Sequence, residues 1–196
     1  MIILKNAKLL GEGMERICYL HPENENQVVK IPQKAGENGS RQNEFEFRSY
    51  RYILKRTPEI TCISKCYGFT KTDMGEGLVC QCIRDWNGAI SRSLHDILLE
   101  KHDYDYAKIL YAVSHFGSYL IENNVQLFDL NVKNLVVQIN ENDYTVISID
   151  LKGRYANNEF LPFSTYIPFF SRRKLKRRYT QLLERIDYCR KLAGER

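Results

Sequence analysis

The stretch Phe128-Asp129-Leu130-Asn131-Val132-Lys133-Asn134, with Ser148-Ile149-Asp150 beyond it, constrains this chain more than any other. Two apolar runs, Leu135 to Ile139 and Tyr144 to Ile149, are separated by Asn140-Glu141-Asn142-Asp143, which is hairpin chemistry. A hairpin of that size returns its ends to one place, so Asn134 and Asp150 are predicted to meet. A carboxylate, a carboxamide and a second carboxylate together form the set that phosphoryl transfer needs. One Asp orients an attacking hydroxyl, while an Asn and another Asp hold magnesium against phosphates.

The composition leaves room for such a site in a folded protein. With 196 residues, 43% of them hydrophobic, the chain can bury one core or two small lobes sharing a cleft. An ordinary charged fraction and plentiful aromatics argue against global disorder. No uninterrupted apolar run approaches the ~20 residues that span a bilayer. Met1-Ile2-Ile3-Leu4-Lys5 is too short for a signal peptide and reads as a strand. The expectation is a cytoplasmic chain with room for peripheral contact at the inner membrane. Six cysteines agree, because none forms a Cys-x-x-Cys pair and the four histidines complete no zinc spacing. Buried, reduced thiols are expected.

Along the chain, Leu4 to Leu10, Arg16 to Leu20 and Val28 to Ile31 read as strands, with Gly11-Glu12-Gly13 and His21 to Asn26 as turns. Ala35 to Ser40 reads as a loop. Ser40 caps a helix from Gln42 to Lys55 anchored by Phe45, Tyr52, Ile53 and Leu54, and Pro58 stops it. Cys62 to Thr70 and Gly77 to Ile83 are further strands. After a loop from Arg84 to Ile90, Ser91 or Ser93 caps a short helix through Leu99. Tyr106 to Asn123 is a longer helix with Ile109, Leu110, Val113, Phe116, Gly117 and Leu120 at helical spacing. Strands first and helices in the centre predict an α+β fold of two lobes with a boundary near Arg84. Residues 1–84 would form a β-rich lobe, 85–160 a reduced second lobe, and 161–196 an aromatic and basic tail.

Three upstream features fall in order before the hairpin. Gly11 and Gly13 could let backbone amides approach phosphate oxygens, or simply form a turn. Lys30 sits among β-branched residues and needs either solvent or a partner. Glu46, on the first helix, could pair with Lys30. Glu44 is a rival on another face, and either could be a solvated helix charge.

Glycine turn, strand lysine, helix glutamate, connecting strand, Asp-x-x-x-x-Asn and a later Asp together resemble the eukaryotic-like protein kinase fold. The finer resemblance is to the bacterial YrbL family, named for the PhoP regulatory network and distantly similar to lipopolysaccharide-core kinases. Its matching stretches here are Leu10 to Gly13, Cys18 to Pro22, Arg41-Gln42-Asn43 with Glu46, Gly77-Leu78-Val79, Ile83-Arg84-Asp85, Asp129 to Asn134, and Tyr166 to Lys174. The resemblance implies a compact two-lobed protein-kinase-like fold with ATP and magnesium in the cleft. Gly11 and Gly13 would cover the phosphates. Lys30 would contact them, anchored by Glu46, and backbone around Cys82, Ile83 and Arg84 would meet the adenine. Asp129 would orient the acceptor hydroxyl, Lys133 would neutralise the transferring phosphoryl group, and Asn134 and Asp150 would ligate magnesium.

The departures from that pattern shape the expected function. Arg16 stands where the third loop glycine would be, Leu127-Phe128 replaces His-Arg, and Asp150-Leu151-Lys152-Gly153 replaces Asp-Phe-Gly. Only 46 residues follow Asp150, too few for the usual peptide-binding helices. A hydroxyl acceptor that is a small molecule or a lipid-linked sugar is therefore expected over a protein. The alternative is a kinase-fold pseudoenzyme acting as a regulatory nucleotide-binding or interaction module.

Charge adds one more element. Residues 171–196 carry ten Lys/Arg against three Asp/Glu, a local +7, while the remainder sums to −2. From Arg172 the tail reads as a helix with Leu175, Tyr179, Leu182, Leu183, Ile186 and Cys189 on one stripe. Three readings are open: a helix docked on the second lobe, an interfacial contact with anionic membrane through 171–191, or a nucleic-acid surface. The last is disfavoured because no recognition module accompanies the charge.

Overall fold

The computed structural model describes residues 1–33, 37–100, 104–152 and 163–194. Gly153, Ala35 and the expected boundary at residue 160 lie outside the described residues. The order is β1 (Leu9–Glu12), β2 (Arg16–Leu20), β3 (Gln27–Pro32), α1 (Glu37–Arg56), β4 (Cys66–Thr72), β5 (Gly75–Gln81), β6 (Arg92–Ser93), α2 (Leu94–Leu99), α3 (Tyr106–Glu122), β7 (Leu135–Ile139), β8 (Tyr144–Ser148), α4 (Phe163–Tyr166) and α5 (Pro168–Gly194). The first five strands form one antiparallel sheet in the order β1-β2-β3-β5-β4, covered by α1, and β6-β7-β8 form a second, smaller sheet beside the helices. The fold is α+β, with the five-stranded sheet and α1 in one lobe and the small sheet with the remaining helices in the other.

Several boundaries differ from the sequence expectation, each for a local reason. The first strand begins at Leu9, not Leu4, because a turn closed by Ala7 N–H donating to Leu4 O at 2.9 Å interrupts it. It then continues through Gly11 and Glu12, expected as a turn, with Gly11 opposite Cys18 and an irregularity in register after Leu9. The fourth strand starts at Cys66, not Cys62. The intervening backbone serves the other lobe: Ser148 N–H donates to Cys62 O at 3.0 Å, and Ser64 N–H to Ser148 O at 2.8 Å.

The first helix starts at Glu37, inside the expected loop, and its inner face corrects the expected anchors. Asn43, Glu46, Ser49 and Ile53 are buried, while Phe47, Tyr50 and Leu54 pack against the core. Phe45 and Tyr52 instead lie beneath guanidinium groups, those of Arg41 at 5.4 Å and Arg56 at 4.6 Å. Ser93, not Ser91, caps α2 by accepting the Asp96 N–H at 3.1 Å. The Ser91 hydroxyl donates to Asp85 at 2.6 Å.

A continuous apolar core crosses from Val28, Leu78 and Cys80 under the large sheet to Leu94, Phe116, Leu120 and Leu135 in the helical lobe. The tail helix belongs to it. Leu175, Leu182, Ile186 and Cys189 are buried, as their spacing predicts, but Leu183 is exposed. The helix begins at Pro168, whose fixed φ suits a first helical turn. Gly117 on α3 lets α5 approach, since a Cβ there would lie 2.3 Å from the Tyr179 ring. Gly117→Val is therefore expected to destabilise the fold by about 1–3 kcal/mol through overpacking, read as a lower denaturation midpoint. An unchanged midpoint would mean that α5 is not held at this contact.

All six cysteines are free, and all but Cys18 are buried. Burial pushes the Cys18 thiol up to about 11 and the Cys62 thiol to about 12. No helix among the described residues is long and apolar enough to cross a membrane.

Candidate active site

Between the lobes lies a cleft of about 640 Å³. Leu10, Gly11, Cys18 and Val28 line it from the large sheet, Cys82 and Ile83 from the connector, and Val136 and Ile149 from the small sheet. Apolar walls from two sheets with a few polar groups at one end are the usual make-up of a small-molecule site. Lys30 and Lys133 reach the same cleft.

Around Lys30 the charged residues converge. Lys30 Nζ donates to Glu46 Oε1 at 2.5 Å and to the Ile149 carbonyl at 2.6 Å. A lysine in the middle of a buried strand thus finds its partner on α1, and the strand β3 and the Asp150 segment are tied together through one ammonium. Glu44 is exposed, so Glu46 is the partner. Asn43, one turn before Glu46, donates to the Lys30 carbonyl at 3.0 Å and steadies the same strand.

The hairpin does what its sequence predicts. Asn134 O accepts the Ile149 N–H at 2.9 Å, which sets Asn134 beside Asp150. Asn134 Nδ2 donates to Asp129 Oδ2 at 3.2 Å. The backbone N–H of Lys133 donates to Asn131 Oδ1 at 3.1 Å, an Asx turn that shapes the loop and leaves the Lys133 side chain exposed.

Two residues noted in the sequence only as departures take central positions. Arg16 donates from NH1 to Glu46 Oε2 at 2.5 Å and to Asn43 Oδ1 at 3.1 Å, and from NH2 to Asp150 Oδ1 at 3.1 Å. Lys152 Nζ lies 3.4 Å from Asp150 Oδ2 and 3.8 Å from Asp129 Oδ2. Lys30, Arg16 and Lys152 therefore balance Glu46, Asp150 and Asp129 in one linked cluster. Burial and charge act together on it. Burial pushes the Asp150 carboxyl up, but Arg16, Lys30 and Lys152 outweigh it and hold the group below the usual carboxylate range. Burial, reinforced by Asp150 and opposed by Lys152, raises Asp129 instead. Two carboxyls in one cluster are thus driven apart, the pattern that marks acid–base sites.

Other expected residues fall elsewhere. Gly13 is in the β1–β2 turn, where its N–H donates to Arg16 O at 2.9 Å, and it does not line the cleft. Arg84 does not line the cleft: its carbonyl accepts from Gln138 Nε2 at 2.7 Å, and its guanidinium donates to Glu25 O at 3.0 and 2.6 Å and to Gly88 O at 2.6 Å. Cys82 and Ile83 line the cleft, yet the Cys82 N–H already donates to Asn26 O and the Ile83 carbonyl already accepts from Ser91 N–H. Those two groups are engaged within the fold. Glu46, Cys66 and Cys80 come close enough together to suggest a metal site. Glu46 is occupied by two cations, however, and the Cys66 thiol is pushed far up by its hydrogen bond to Cys80 and by burial, so thiolate ligation is disfavoured there.

YrbL of Escherichia coli and YrbL of Shigella flexneri are each 25% identical to the chain over 185 residues, covering 93% of it and 87% of the relative. Among solved structures, the PknI kinase domain of Mycobacterium tuberculosis aligns at a TM-score of 0.46 and 16% identity, over 74% of this chain and 58% of that one. The model of the family described as "PhoP regulatory network protein YrbL" matches residues 2–187. The chain belongs to that YrbL family.

Proposed function

We propose that the chain is a kinase-like phosphotransferase that uses ATP and magnesium to phosphorylate a hydroxyl-bearing acceptor, a small molecule or a lipid-linked sugar. One observation carries the reading. Lys30 lines the cleft, pairs with Glu46 and donates to the Ile149 carbonyl next to Asp150, where the hairpin also gathers Asn134 and Asp129. A scaffold has no chemical need for that convergence.

The donor set fits the cofactor. Asp150 offers carboxylate oxygens, and Asn134 keeps its amide oxygen when its nitrogen donates to Asp129, which are the hard oxygen donors magnesium takes. ATP bound with magnesium would supply the phosphoryl group. Lys30 would neutralise phosphate oxygens while Glu46 fixes its ammonium. Asp129 would accept a hydrogen bond from the acceptor hydroxyl and draw off its proton, a task its raised pKa suits. Lys133, at the open side of the cleft, would offset charge on the transferring group.

Arg16 favours a second reading, a nucleotide-binding module without turnover, because it already engages the Asp150 oxygen that a metal would use. A thermal-shift titration with ATP, with and without magnesium, tests both. Nucleotide at about 100 times its Kd adds about 2.7 kcal/mol, or about 5–10 °C in a chain of this size. A magnesium-dependent shift supports the enzyme, a magnesium-independent shift supports the module, and no shift contradicts both.

A further inference from the structure

We infer that the exposed face of α4 and the first turns of α5 is a docking surface for a bilayer containing anionic lipid. The inference stands on surface residues alone and is independent of the phosphotransferase reading. Phe163, Tyr166, Ile167, Phe169 and Phe170 are between 40% and 72% exposed. They form one patch, with Phe170 packed against Phe163 at 5.9 Å and Phe169 at 5.5 Å between ring centres. Large apolar side chains gathered in one exposed patch mark an interaction site.

Part of the charge beside the patch has no ion-pair partner among the described residues. Six of the seven residues from Arg172 to Arg178 are cationic, in the second and third turns of α5. The fold employs Arg172, which donates to the Glu122 carbonyl at 3.5 Å, Lys174, over the Phe128 ring at 4.2 Å, and Arg178, which donates to Gln181 at 3.1 Å. Arg173, Lys176 and Arg177 are exposed and form no ion pair among the described residues. With Phe169 and Thr180 they share one side of α5, opposite the buried Ser171, Leu175 and Leu182.

A row of unpaired cations that ends in a cluster of rings matches the chemistry of a lipid surface. Aromatic side chains settle at the headgroup boundary while lysine and arginine meet phosphate above it. Charge complementarity therefore selects anionic lipid as the occupant. The buried side of α5 packs on the core, so contact is made by this patch and not by a helix that detaches.

Co-sedimentation of the full chain with phosphatidylcholine vesicles, with and without about one-third phosphatidylglycerol, tests this. Binding is expected to the anionic vesicles only, to weaken with salt, and to fall about 100-fold when Arg173, Lys176 and Arg177 are all changed to Glu. Phe169→Ser with Phe170→Ser is expected to weaken it about tenfold or more. All five side chains are exposed, and an unchanged melting point would show the variants folded. Failure of the wild-type chain to sediment, or equal binding by the charge-reversed chain, would overturn the inference. So would anionic binding that the Phe changes leave intact, which marks a general polyanion surface such as one for nucleic acid.

Discussion

Asp129→Ala is expected to lower phosphoryl transfer from ATP by about 100- to 10,000-fold, the usual contribution of a positioned general base, and to leave nucleotide affinity nearly unchanged. The separation follows from geometry. Asp129 touches Asn134 and lies near Lys152, whereas Lys30 is held by Glu46 and the Ile149 carbonyl. Removing the carboxylate should therefore empty the place of the acceptor proton without loosening the phosphate end. Turnover, assayed as phosphate release or transfer, and affinity, assayed by nucleotide titration, read the two effects apart. Loss of both in a folded variant would make Asp129 a structural residue and remove its assigned role.

Glu46→Gln carries the largest expected stability loss. Its carboxylate is 1% exposed and holds both the Lys30 ammonium and the Arg16 guanidinium at 2.5 Å. Neutralising it leaves two buried cations short of a counter-charge, and breaking a buried pair in this way costs about 3–5 kcal/mol. Glu44→Gln on the exposed side of the same helix should stay within about 0.5 kcal/mol. Chemical denaturation of the two variants is the check. Equal midpoints would mean that Glu46 does not organise the cluster, and the link from Lys30 through α1 to Asp150 would fail with it.

These two glutamates also show how far the sequence could be read. The hairpin returning Asn134 to Asp150 was legible because turn residues and strand periodicity are local signals. The Lys30–Glu46 pair was legible through the family resemblance, while the residues alone left Glu44 a rival, because the inward face shared by Asn43, Glu46, Ser49 and Ile53 carries two polar side chains and one carboxylate. Phe45 and Tyr52, expected among the anchors of that helix, lie under arginines instead. Arg16 was beyond reach. Its partners lie 30 and 134 residues away, and nothing in local pattern distinguishes an arginine at a strand end in solvent from one linking two lobes. Strand ends failed for a related reason: Cys62 and Ser64 look like strand residues, but their backbone pairs with Ser148 across the lobes.

The proposed function needs the Asp150 carboxylate to take part in magnesium-dependent nucleotide binding. The most direct measurement is the magnesium-dependent part of the ATP-induced melting shift, compared between the wild-type chain and Asp150→Asn, each against its own nucleotide-free value. The account requires that increment in the wild-type chain and its loss in Asp150→Asn, with any magnesium-independent shift retained. An identical increment in both chains, or none in either, would contradict it.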